Sequence, residues 1–81
     1  MGVLRILSHR GDDRYTWEQN AVEVGDPEAV AAVKEAERIF AEQRTKGATA
    51  VKVMPGKPAE RLDKFDPEAQ EIVMIPRVVG G

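Results

Sequence analysis

The sequence closes on Ile75-Pro76-Arg77-Val78-Val79-Gly80-Gly81, and its most chemically suggestive residues are the last two. A glycine pair after an extended apolar segment presents a carboxylate on a tail without side chains, thin enough to thread into a narrow active site. A Cβ at Gly80 or Gly81 would widen that tail and restrict its backbone angles. Val78 and Val79 keep the preceding stretch extended. At an average glycine frequency of about 7%, two specified terminal glycines arise by chance roughly once in two hundred sequences. A carboxylate is a poor electrophile until one oxygen becomes a leaving group, so chemistry at Gly81 requires activation. The bland alternative is a disordered tail that happens to end in glycine.

Other residues invite chemical readings and weigh less. His9 is the only histidine, with no partners at metal-ligand spacing, and reads as a solvated turn residue beside Arg10. Asp12 and Asp13 resemble paired catalytic carboxylates but follow Gly11, where acids serve turn geometry. Gly47 and Gly56 do not form a phosphate-loop pattern. Trp17 and Tyr15 share one face of an expected strand. Core packing is the simpler account of them; an exposed aromatic patch suited to a partner is the other. Arg77 reads either as a recognition residue or as an ordinary solubilising charge.

These residues are positioned by elements that the sequence marks clearly in some places and faintly in others. Val3–Leu7 is apolar and β-prone, Ser8–Asp13 carries turn chemistry, and Arg14–Glu18 alternates, which together predict an antiparallel hairpin. Asp26-Pro27-Glu28 is a helix start: Asp26 caps, Pro27 suits the first position, and Glu28 faces the positive dipole end. Ala29, Val33, Ala36 and Phe40 recur at helical spacing opposite a charged face, and Gly47 closes the helix. Thr49–Met54 predicts a strand ended by Pro55-Gly56-Lys57-Pro58. Glu60–Phe65 predicts a short edge strand with Leu62 inward. Asp66-Pro67-Glu68-Ala69 repeats the start signal but leaves room for one helical turn before the last strand, Ile72–Ile75, which Pro76 ends. Phe40, Val33, Ile39 and Met74 read as core.

The bulk numbers set limits. Eighty-one residues make one domain. A chain of this size buries only about 60–65% of its unfolded surface, so modest stability is expected. Absence of cysteine excludes disulfides, thiolate metal sites and any reaction using this chain's own sulfur nucleophile. Twelve basic and fourteen acidic residues, interspersed to a net charge of −2, offer no basic stripe for nucleic acid. The apolar start is too short to span a bilayer and lacks a secretory cleavage pattern. Ile6 stands where a myristoylation motif needs Ser or Thr. A soluble cytoplasmic protein, binding neither membrane nor nucleic acid, is expected.

The order strand, strand, long helix, strand, weak strand, turn, strand, tail resembles the β-grasp superfamily of ubiquitin-like proteins and small sulfur carriers. Glu71-Ile72-Val73-Met74-Ile75-Pro76-Arg77-Val78-Val79-Gly80-Gly81 is similar to the end of the molybdopterin-synthase small subunit and its relatives. Arg77 resembles the arginine that ubiquitin-type tails present to their activating enzyme. It also departs from the sulfur carriers, which often carry a second proline there.

The element order spans nearly the whole chain, the specific motif only its last eleven residues. The resemblance implies an α+β fold, with a mixed sheet and one long helix across one face. The domain would cover residues 1–76 and a flexible tail residues 77–81. It implies no enzymatic activity of the chain's own and no bound cofactor; a partner activating enzyme uses ATP to adenylate Gly81. Further partners would be a conjugating enzyme, a deconjugating metallopeptidase and target proteins. Conjugation would involve Gly80 and Gly81, and recognition Arg77, Val78, Val79, Trp17 and Tyr15. A protein modifier joined to target lysines is the leading expectation. A carrier with a C-terminal thiocarboxylate for molybdopterin, thiamin or thionucleoside synthesis is the close rival, and a non-covalent adaptor the third.

Overall fold

A computed structural model describes residues 1–8 and 11–77 and shows a small α+β protein with a mixed five-stranded sheet and one long helix. The strands are β1 (Gly2–Ser8), β2 (Gly11–Trp17), β3 (Thr49–Val53), β4 (Glu60–Leu62) and β5 (Glu71–Ile75). The helices are α1 (Gln19–Glu23) and α2 (Pro27–Thr45). The sheet order is β2-β1-β5-β3-β4, with β1 and β5 parallel and the other pairs antiparallel.

The apolar pattern explains this order. Leu4 on β1 and Ile72 and Met74 on β5 are fully buried, and Ala50 on β3 nearly so. All lie on the face that α2 covers with Ala36, Ile39 and Phe40. Each large side chain so placed contributes roughly 1.5–3 kcal/mol by leaving water. Setting β5 between β1 and β3 therefore brings the most apolar strand to the middle of the sheet. Val3 and Arg5, on either side of the buried Leu4, are only half-buried, so this strand is covered on one face.

The two Asp-Pro signals act alike locally and then diverge. Asp26 accepts a hydrogen bond from the Glu28 N–H at 3.1 Å and starts a helix of nineteen residues. Asp66 accepts from the Glu68 N–H at 2.9 Å, but only one backbone bond follows, from Ala69 N–H to the Asp66 carbonyl at 3.2 Å. The outcome is a hydrogen-bonded turn rather than a helix, because β5 begins at Glu71.

Two expectations need correction. The hairpin loop is shorter than Ser8–Asp13: β2 begins at Gly11, and Asp12 and Asp13 pair with Leu7 and Ile6. An ion pair from Asp12 to Arg5 at 2.9 Å gives the acid a strand role that the turn reading lacked. Helix α1 was not expected at all. It has no side-chain cap, and its five residues are held by contact with α2 and by Gln19. The Gln19 amide donates to the carbonyls of Glu68 and Ala69 at 3.0 and 3.2 Å.

Candidate functional site

The segment leading to the C-terminal glycines is the middle strand of the sheet. β5 is bonded on both sides, to β1 through Val3–Ile6 and to β3 through Thr49–Val53. Pro76 follows it directly, and without an N–H it cannot extend the ladder. The expected site residues Val78, Val79, Gly80 and Gly81 lie outside the described residues, as does His9.

Arg77 is the last described residue, and it lies against the end of α2. That helix ends in a double hydrogen bond: Gly47 N–H to the Arg44 carbonyl and Ala48 N–H to the Gln43 carbonyl, both 3.0 Å. This is the Schellman arrangement, which needs a residue in the left-handed region. Gly47 supplies it with φ 92°. The missing side chain at Gly47 also makes space. A Cβ there would stand 3.1 Å from Arg77 Cδ and 3.6 Å from its Cβ, so the arginine stem occupies the ground that a side chain would claim.

The sheet face away from α2 carries a second feature. Val73 in mid-β5 faces Arg5 on one side and Val51 on the other. Val3 and Val53 flank Glu71 in the same way, while Leu7 and Ile75 are 38% and 42% exposed. These residues form an aliphatic strip on an otherwise charged face. Arg5 and Arg14 lie directly opposite each other in register. Their mutual repulsion is relieved by Asp12, whose Oδ2 is 2.9 Å from Arg5 Nε and 3.1 Å from Arg14 Nε. Arg5 also approaches Glu71 at 3.4 Å. The Arg5 Nε–H is out of line for a hydrogen bond, so its contact with Asp12 is electrostatic alone.

The aromatic residues considered for partner recognition lie on the covered side. Trp17 is 2% exposed and its indole N–H donates to the Pro67 carbonyl at 2.8 Å. Phe65 packs between Trp17 and Phe40, with ring centroids 5.3 and 5.8 Å away. Tyr15 is half-buried against the same core. The uncovered aromatic patch is therefore not formed, because α1, α2 and the 63–69 segment close over that face. Beside these rings, a cleft of about 510 Å³ opens between α2 and the segment after β4, floored by Phe40 and Phe65 and rimmed by Arg44 and Asp63.

Among the described residues no group of three His, Asp or Glu side chains is placed to hold a metal ion, and no charged side chain is buried. Among the described residues no helix is long and apolar enough to cross a membrane. The clearest perturbed acid is Glu35, on the exposed face of α2. Its carboxyl is held below the ordinary glutamate range by a hydrogen bond from Arg38 at 2.7 Å. Arg38 also reaches Glu42 at 3.1 Å, which makes this a solvated helix face rather than a reactive centre.

Sequence reasoning reached Arg77 but missed the seat under it. Gly47 read as a helix stop, and nothing in the sequence marks it as Arg77's neighbour, thirty positions away. The chain matches no protein-family model, no curated protein and no solved structure.

Proposed function

We propose that this chain is a ubiquitin-like protein modifier of the β-grasp fold, activated at the Gly81 carboxylate and joined to lysines of target proteins. One observation carries the reading: the strand that leads to Gly80-Gly81 is central in the sheet and ends at Ile75, just before Pro76. The tail thus leaves from a fixed point, and an enzyme can grip the folded body while it works on the end. The antiparallel β1–β2 hairpin, the long helix on one face and the parallel β1–β5 pair support the fold assignment.

The chemistry belongs to partners. A Gly81 carboxylate oxygen bonds to the α-phosphorus of ATP on an activating enzyme, and pyrophosphate leaves. A partner thiolate then attacks the acyl carbon and AMP departs, leaving a thioester. A neutral lysine amine displaces that thiolate and gives up a proton as the amide forms. The chain contributes the electrophilic carbon and the recognition surface near Arg77, whether Gly81 is last as synthesised or exposed by trimming.

Tryptic mass spectrometry of the native host's proteome tests this. Trypsin cuts after Arg77, so Val78-Val79-Gly80-Gly81 remains on each modified lysine. That remnant on target peptides establishes the modifier. A free tail bearing sulfur in place of one carboxylate oxygen would reassign the chain as a sulfur carrier. The aliphatic strip around Val73 favours a second reading, an adaptor that binds through its open sheet face. Unmodified tail in cells that contain an activating enzyme would select it.

A further inference from the structure

We propose that Gly47 is a positioning residue: it seats the stem of Arg77 on the end of α2, so that the helix end and the root of the tail form one surface for the activating partner. The inference rests on the modifier reading above. It starts from a contrast among the left-handed glycines. Gly25 (φ 79°) and Gly56 (φ 70°) have nothing within 4 Å of where a Cβ would stand. Their glycine identity serves backbone conformation only. Gly47 shares the positive φ, but three atoms of the Arg77 side chain lie within 3.1 to 3.9 Å of its Cβ position.

A side chain at residue 47 would strain the left-handed backbone, as at Gly25 and Gly56, and would in addition press the flexible Arg77 stem aside. Moving that stem moves the residue immediately before Val78. The exposed Lys46 next to Gly47 is already paired with Glu42 at 3.4 Å, so the cation that the seat adds to this corner is Arg77. A partner surface with acidic groups fits that corner and can read the arginine in a fixed place.

The test uses glycine variants matched for backbone cost. Asparagine tolerates the left-handed region better than most residues, so Gly25→Asn, Gly47→Asn and Gly56→Asn share a similar conformational cost. Each full-length variant replaces the wild-type chain in the native host, and remnants on target lysines are counted beside thermal midpoints. The expected result is similar midpoints, with conjugation reduced about tenfold only in Gly47→Asn, since misplacement at a distance weakens productive docking. In wild-type protein, a nuclear Overhauser contact between the Gly47 α-protons and the Arg77 δ-protons should be present. Equal conjugation in Gly47→Asn and Gly56→Asn, or absence of that contact, would overturn the seat alone. No remnant even in wild type would remove the modifier reading and this inference with it.

Discussion

The indole N–H of Trp17 donates to the carbonyl of Pro67 at 2.8 Å, across fifty positions of sequence. The bond ties the end of β2 to the turn that feeds β5, so the hairpin and the tail-bearing strand are fastened to each other outside the sheet ladder. Trp17→Phe keeps an aromatic ring but removes the donor. A loss of roughly 1–2 kcal/mol is expected from a partly buried bond of this kind. Urea denaturation followed by circular dichroism measures it; an unchanged midpoint would show that Gln19, whose amide is 3.4 Å from the same carbonyl, substitutes fully.

Gly2 is buried beneath the same ring. A Cβ on Gly2 would run into the Trp17 indole, which is a rigid body held at both ends rather than the tip of a mobile chain. Gly2→Ala should cost about 1–3 kcal/mol by overpacking and shift the Trp17 fluorescence as the ring is displaced. Gly56→Ser, with open space around it, should leave the fluorescence unmoved.

Acid should loosen the charged face of α2. Glu35 has its folded-state pKa lowered by the hydrogen bond from Arg38, with the arginine's charge acting in the same direction. Its contribution is present above the ordinary glutamate pKa and disappears as the pH falls through the lowered folded value. Both groups are exposed, so the effect is small and screened by salt. In Glu35→Gln the stability difference between neutral and acidic pH should shrink slightly relative to wild type. A difference unchanged at low ionic strength would mean that Arg38 gains nothing from Glu35.

Removal of Gly80 and Gly81 should separate chemistry from folding. Among the described residues every buried core side chain lies at or before Met74, so the thermal midpoint should be unaffected. Conjugation with the activating enzyme should fall to background. Persistent activity would place the reactive group elsewhere and exclude acyl transfer at Gly81.

Much of this architecture was legible because its signals were local and repeated. Asp26-Pro27-Glu28 marked α2, the run Ile72–Ile75 marked a central strand, and Pro55 through Pro58 marked a loop. Helix α1 escaped notice because its support is tertiary: Gln19 bonds carbonyls about fifty residues away, and no cap or charge pattern announces it. Asp12 was misplaced in the turn for a similar reason, since its partners Arg5 and Arg14 are defined only by hairpin register. Trp17 posed a question that the sequence posed fairly, and the cover over its strand answered it. The Gly47–Arg77 contact was invisible, since it depends on where β5 ends relative to α2.

The central place of β5 also determines how the molecule bears load. A partner that draws on the C-terminal end pulls β5 along its own length, between β1 and β3. The flanking hydrogen bonds are then strained together in shear instead of being opened one at a time, as they would be if an edge strand were peeled away. Forced unfolding is governed by the height of that barrier rather than by equilibrium stability. The fold can therefore withstand traction applied beyond Ile75 better than it could if β5 lay at an edge.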